Sequence, residues 1–226
     1  MTDRMLTYRE ALREAMTQAM RRDPEIVVMG EDIGIYQGSF GVTGQMYKEF
    51  GDRIIDTPIS ESAFVGCAIG AAMEGMRPIV EIMFSDFMTV CWDMLVNQAA
   101  KMHFMFGGKL SVPMVLRTAA GSGTGASAQH SQSLEAMLCH VPGLKVVAPS
   151  TPADAKGLLL AAIADNNPVI FLEQKTLYPT TGPVPEAADP VPLGKAATLR
   201  KGTDCTIVSY GRMVPRCLKA ADMLEK

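Results

Sequence analysis

The stretch Asp56-Thr-Pro-Ile-Ser-Glu-Ser-Ala-Phe-Val-Gly-Cys-Ala-Ile-Gly-Ala-Ala-Met-Glu-Gly75 sets one carboxylate, Glu61, at the head of a run that carries no charge from Ala63 to Met73. A helix without a polar face belongs inside a protein, so the run predicts a helix buried all round. Gly66 and Gly70 recur at four-residue spacing, which predicts close approach of another backbone, and Gly75 is placed to end the helix. A Glu in a first turn is ordinarily there because the helix dipole favours it. Glu61 departs from that pattern through its apolar neighbours Phe64 and Val65. Lost hydration opposes its charge while the helix N-terminus favours it, and such opposed influences suit a group that exchanges a proton.

Short apolar runs flank this helix. Ile54-Ile55 and Ile79-Val-Glu-Ile-Met83 read as strands and complete a β-α-β unit. Upstream, Thr7-Tyr-Arg-Glu10 is a capping box for an amphipathic helix with Leu12, Ala15, Met16, Ala19 and Met20 on one face, stopped by Asp23-Pro24. Ile26-Val-Val-Met29 reads as a buried strand that delivers Glu31 and Asp32 at its carboxyl end, where open parallel sheets gather ligands. Gly34 to Gly44 reads as a loop without a phosphate-binding pattern, and a short helix near Met46 to Phe50 follows. Downstream come a helical stretch of about Met88 to Lys101, a strand at Val112 to Leu116 and a loop of small residues from Thr118 to His130. Strands at Leu144 to Ala148 and Pro168 to Leu172 enclose a helix opened by Thr151-Pro152. Six strands with intervening helices predict an α/β fold with a mostly parallel sheet.

Five prolines and two acids between Tyr178 and Pro192 break this rhythm and read as a linker. Beyond it, Asp204 to Tyr210 reads as a first strand and Met213 to Lys226 as a first helix of a further domain. One strand and one helix bury no core, so this part is expected either to lack the rest of its domain or to pack on another surface. With 226 residues, 48% hydrophobic, 20% charged and a formal net charge of −3, the chain matches neither a disordered nor a nucleic-acid-binding protein. No membrane span or apolar secretory core is visible, which predicts a cytoplasmic protein. Cys67, Cys91, Cys139, Cys205 and Cys217 lack a Cys-x-x-Cys pair and read as reduced, mostly buried thiols, and zinc is not indicated.

Of His103, His130 and His140, only His130 directly follows the small-residue loop at a strand end, where a ligand-facing side chain is expected. Phe84 and Phe87 follow the third helix-flanking strand and suit either core or the wall of a flat-ring pocket. The chain has no Gly-x-Ser-x-Gly elbow, Walker pattern or dinucleotide glycine pattern, so hydrolase, phosphoryl-transfer and hydride-transfer readings lack their usual supports.

Asp56-Thr-Pro-Ile-Ser-Glu61, Gly75-Met-Arg-Pro78, Asn97-Gln-Ala-Ala-Lys101, Ala128-Gln-His-Ser-Gln132, Pro142-Gly-Leu-Lys-Val-Val147 and Asp165-Asn-Asn-Pro168 resemble the β subunits of thiamine-diphosphate-dependent 2-oxo acid dehydrogenases. The blocks span nearly the whole chain. Ser60 to Gly66, Met83 to Met88 and Phe104 to Lys109 look most like acetoin dehydrogenase β subunits. The resemblance implies a transketolase-like pyrimidine-binding domain over 1–177, a linker over 178–203, and at 204–226 the opening of a transketolase C-terminal domain. It implies that Glu61 hydrogen-bonds N1′ of the aminopyrimidine, that Ile59, Met83 and Phe87 line its pocket, and that His130 serves the substrate and lipoyl side. It further implies a potassium site at Met114, Ala162, Ile163, Asp165 and Asn167. The family's Gly-Asp-Gly motif for the cofactor diphosphate and magnesium lies on a separate α subunit and is missing here, so this chain is expected to supply half a site. An α2β2 heterotetramer, a lipoyl-bearing acyltransferase core, and acetoin or a 2-oxo acid such as pyruvate as substrate follow from the same resemblance. The rivals are a split transketolase-like transferase and a catalytically silent structural subunit. The first calls for basic residues near the site, and the loop from 118 to 130 has no Lys or Arg. Retention of Glu61 and His130 argues against the second.

Overall fold

The computed structural model describes residues 4–187 and 189–225. Its elements are β1 (Arg4–Thr7), α1 (Tyr8–Arg22), β2 (Ile26–Gly30), α2 (Met46–Phe50), β3 (Ile54–Asp56), α3 (Glu61–Met73), β4 (Arg77–Ile82), α4 (Met102–Met105), β5 (Val115–Ala120), α5 (Glu135–Cys139), β6 (Lys145–Val147), α6 (Pro152–Ala164), β7 (Val169–Gln174), β8 (Thr181–Val184) and α7 (Met213–Leu224). Six strands form one sheet in the order β3-β2-β4-β5-β7-β6, and every neighbouring pair is parallel. The α/β reading therefore holds. The chain leaves β2 for β3 at one edge and returns to β4 on the other side of β2, so a topological switch point lies between β2 and β4.

Helices cover both faces. Leu12, Met16 and Met20 of α1 and Leu159 and Ile163 of α6 pack with Val28, Ile79, Val115 and Phe171. On the opposite face Phe64, Val65, Ala68, Ile69 and Ala72 of α3 pack with Val80, Ile82, Leu116 and Ile170. The capping box forms as read: the Thr7 backbone N–H donates to the Glu10 carboxylate at 2.8 Å, and the Thr7 hydroxyl oxygen accepts from the Glu10 N–H at 3.3 Å. Thr151 caps α6 in the same way through the Asp154 N–H at 3.1 Å. Gly75, at φ 101°, closes α3, with Met76 N donating to Ala71 O at 3.0 Å.

Several expectations are corrected. α3 is not buried all round: Ser62, Ala63, Cys67 and Gly70 face outward. Nor does a described backbone approach its glycines, since a Cβ on Gly70 would meet nothing within 4 Å and one on Gly66 only the Met94 sulfur at 3.4 Å. The stretch from 88 to 101 is not one α-helix. A 3-10 turn spans Ser85–Thr89 and a π-helical segment spans Met94–Ala99, where Asn97 reaches back to Asp93 at 2.7 Å and Gln98 to its other oxygen at 3.4 Å, widening the turn. The fourth expected strand starts at Val115 rather than Val112, beyond Pro113, which has no N–H for a ladder, and runs on to Ala120. Asp204 to Tyr210 forms no strand; among the described residues it pairs with nothing, and Val208 is 89% exposed. Cys67, Cys139 and Cys205 are exposed, and of the five thiols only Cys91 is buried. An antiparallel pair, β1 with β8, was not foreseen, and it turns the opening of the expected linker into a strand. Lys226, included in the last expected helix, lies outside the described residues.

Candidate active site

α3 brings Glu61 to the carboxyl ends of β2 and β3, beside the switch point. Glu61 is 7% exposed, and its carboxylate accepts no hydrogen bond from a described residue. Its first-turn neighbour Ser62 donates to Val90 O at 2.7 Å, which ties the helix start to the segment after β4. Glu31, at the end of β2, is also buried, and its Oε1 has no partner. Burial raises the Glu31 pKa, with the negative charges of Glu61 and then Asp32 adding to the effect. Burial with the Glu61 charge pushes the Cys91 thiol up to about 12. Two buried carboxylates thus share this end of the sheet with no compensating cation among the described residues.

The second part of the site is aromatic. Phe84 and Phe87 stand edge to face at 6.0 Å, and the His130 ring sits against both, at 4.5 Å from Phe84 and 5.3 Å from Phe87. Phe40 extends the cluster, meeting Phe84 at 5.5 Å and stacking on Tyr178 at 5.0 Å. Phe87 and His130 are therefore brought together in one cluster. Met83 is half-buried, and its sulfur accepts from the Ser39 hydroxyl at 3.3 Å. Ile59 is 83% exposed and packs on no wall of this chain's own. His103 bonds through Nδ1 to Leu110 O at 2.6 Å, and exposed His140 lines a shallow apolar cleft with Trp92, Val96 and Met137. Neither histidine joins the cluster.

A third group of charges went unread in the sequence. Arg117, 1% exposed on β5, makes a bidentate pair with Glu173 of β7 at 2.8 and 2.7 Å and a short contact with Glu81 of β4, its direct neighbour in the ladder. Tyr178 donates to Glu173 at 2.8 Å. Burial raises the Glu173 pKa and Arg117 opposes that shift, while the two glutamates hold Arg117 firmly protonated. A signal was available, because a charge interrupts the apolar run at 81 and directly follows the runs that end at 116 and 172.

The expected potassium positions are largely spoken for. Arg77 donates to Ile163 O at 3.0 and 2.9 Å and to Asp165 O at 2.8 Å. Met114 O accepts from Val169 N at 3.0 Å and Ala162 O from Asp165 N at 3.2 Å. The Asp165 carboxylate holds Asn167 and Lys145. A cation here would share the Ile163 and Asp165 carbonyls with the Arg77 guanidinium. Among the described residues no group of three or more His, Cys, Asp or Glu is placed to hold a metal. No described helix is long and apolar enough to cross a membrane.

The donor set suits the aminopyrimidine half of thiamine diphosphate: Glu61 is a buried carboxylate with no described hydrogen-bond donor, and the segment after β4 carries a cluster of phenylalanine rings. Comparison with known proteins gives the same class. The family described as "Transketolase, pyrimidine binding domain" matches residues 4–181, and "Transketolase, C-terminal domain" matches 194–226. A split gene transketolase, solved as an inactive β4 tetramer, superposes with a TM-score of 0.75 at 25% identity, covering 97% of this chain and 68% of that one. Acetoin:2,6-dichlorophenolindophenol oxidoreductase subunit beta of Cupriavidus necator is 53% identical over 99% of this chain and 69% of its own length. The Bacillus subtilis protein of that name is 47% identical with the same coverage. Pyruvate dehydrogenase E1 component subunit beta of Rickettsia felis is 49% identical over 97% of this chain and 68% of its own. The chain belongs to the β-subunit family of thiamine-diphosphate-dependent acetoin and 2-oxo acid dehydrogenases.

Proposed function

We propose that this chain supplies the pyrimidine half of a thiamine-diphosphate site shared with an α subunit, in an enzyme that cleaves acetoin or decarboxylates a 2-oxo acid such as pyruvate. The acyl unit then passes to a lipoyl group on an acyltransferase core. The observation that carries this reading is Glu61, a buried carboxylate at a helix N-terminus with no donor of its own. When bound, thiamine diphosphate supplies a thiazolium carbon that adds to the substrate carbonyl and a ring that takes up the electrons of the broken bond.

The residues of this chain have separable tasks. Glu61 gives a proton to the pyrimidine ring nitrogen and takes it back, the work of a general acid and base held out of water. Phe84 and Phe87 exclude water from that exchange and offer a flat face to the pyrimidine. His130, seated against both rings, reaches the substrate side, where it donates a hydrogen bond to the carbonyl oxygen as charge develops there. The half-site is supported by Ile59: an apolar residue of the cofactor set faces outward two positions before buried Glu61 and calls for a second wall. The diphosphate and its magnesium belong to that partner in this reading, and α2β2 is the assembly it implies. The β4 form of the split transketolase, described as inactive, behaves as a β chain without such a partner should.

Exchange of the thiazolium proton in deuterated water, measured beside overall turnover on the complex with its α subunit, tests the assignment. Glu61→Gln should slow both, and His130→Ala should leave exchange near normal while acyl transfer falls by about 10²-fold. Normal exchange in Glu61→Gln would overturn the reading.

A further inference from the structure

Lys175 is a buried cation to which nothing above gives a task. It follows β7, is 4% exposed, and has as its described hydrogen-bond acceptor a neutral group, the carbonyl of His130. Its ammonium also lies 5.0 Å from the centre of the Phe84 ring, within the range of a cation–π contact. Burial lowers its pKa, and the Asp86 carboxylate opposes that shift. A lysine is seldom buried without a paired carboxylate, because its charge is costly to desolvate.

What it holds is otherwise weakly held. His130 ends a 3-10 turn, Ala128–His130, at the close of a loop in which Gly121, Gly123, Gly125 and Ser127 all have positive φ and most residues from 122 to 129 are exposed. The turn's own backbone contact, His130 N to Ser127 O, is long at 3.4 Å. Immediately beyond it, Gln132 is secured by Asp86 through its N–H at 3.2 Å and its side chain at 2.9 Å. Lys175 therefore contacts both partners of the closest aromatic pair in the site, His130 through its carbonyl and Phe84 through its ring face.

We propose that Lys175 is a positioning residue that sets the His130 imidazole against Phe84 and Phe87, and so fixes the geometry of acyl transfer. Its second half rests on the role given to His130 above; the first half does not. A side chain that only filled space would be replaceable by an apolar one of like length, whereas a tether needs the donor and the charge.

Diethylpyrocarbonate modification of the full chain, read histidine by histidine by mass spectrometry, tests the placement without cofactor, with His103 and His140 as internal references. In Lys175→Met, His130 should react several-fold faster relative to both references. In the complex the same variant should lose acyl transfer by about 10-fold, within the loss of up to about 10²-fold that a misplacement of about 1 Å brings, while thiazolium exchange is kept. Lys175→Arg, which retains charge and donor, should move both readouts back towards the unaltered protein. Unchanged His130 reactivity in Lys175→Met, a common rise at all three histidines, or failure of Lys175→Arg to recover would each overturn the proposal. Faster His130 modification with undiminished acyl transfer would uphold the placement and overturn the role assigned to His130 itself.

Discussion

Two groups of buried carboxylates occupy the carboxyl half of the same sheet, and they are built in opposite ways. On the side of α1 and α6, Glu81 and Glu173 converge on Arg117, and Tyr178 completes the coordination of Glu173. At the switch point, Glu31 and Glu61 meet each other's charge with no cation among the described residues, and Glu31 keeps an unpartnered oxygen. Burial is nearly equal in the two places, so burial does not separate structural from functional charge. Pairing does. Every charge of the triad is engaged before a ligand arrives, whereas the carboxylates at the switch point have donors still to find. The triad is also linked to the aromatic cluster, since Tyr178 stacks on Phe40, which meets Phe84, the ring against which His130 sits.

Removing one charge from each group should therefore have opposite consequences. Glu61→Gln is expected to reduce thiazolium exchange and turnover by about 10⁴-fold, the upper end of general acid–base contributions of about 10²–10⁴, because every later step waits on that proton. Its melting temperature should be no lower than that of the unaltered protein, since no described hydrogen bond is lost. Arg117→Met is expected to strand Glu81 and Glu173 without their partner. Breaking a buried ion pair in this way costs about 3–5 kcal/mol, which for a chain of this size lowers the melting temperature by roughly 6–20 °C. Scanning calorimetry on both variants breaks the comparison if Glu61→Gln falls as far as Arg117→Met.

Much of this was legible in the sequence for a simple reason: backbone patterning is local, and so were its signals. Thr7 with Glu10, Thr151 with Pro152, and Gly75 each fixed a helix end within a few residues of themselves. Glu61 was legible because a lone charge at the head of an apolar helix is conspicuous. What escaped reading depends on residues far apart in the chain. Thr118 read as the start of a loop and Arg117 as lying beyond the strand, yet both continue β5, because Glu81 and Glu173, 36 and 56 residues from Arg117, neutralise the guanidinium inside the sheet. β1 and β8 are four-residue strands that become strands only by pairing across the fold. Asp204 to Tyr210 shows the converse, a run of strand-like composition that finds no partner among the described residues. The outward face of α3 was missed because Ser62, Ala63, Cys67 and Gly70 are small and uncharged, so composition did not distinguish a buried surface from one open on this chain.

The smallest expected effect is the sharpest probe of the unpaired group. Burial first, and then the Glu61 charge, raise the Glu31 pKa, so the folded chain holds this proton more tightly than the unfolded chain does. As pH rises past the ordinary Glu value of about 4.3, the unfolded chain loses its proton first. Stability then drains until the folded-state pKa is passed, and the loss is complete above it. Glu31→Gln removes that titration. It should raise the melting temperature by a few degrees near pH 7.5 and give no gain near pH 3.5, where Glu31 is protonated in both states. Repeating the measurement in a Glu61→Gln background separates the two causes: the gain should shrink, because the neighbouring charge is gone, but should not vanish, because burial remains. A gain of undiminished size would show that the two carboxylates do not act on each other, and the contrast between a paired and an unpaired group would lose its second member.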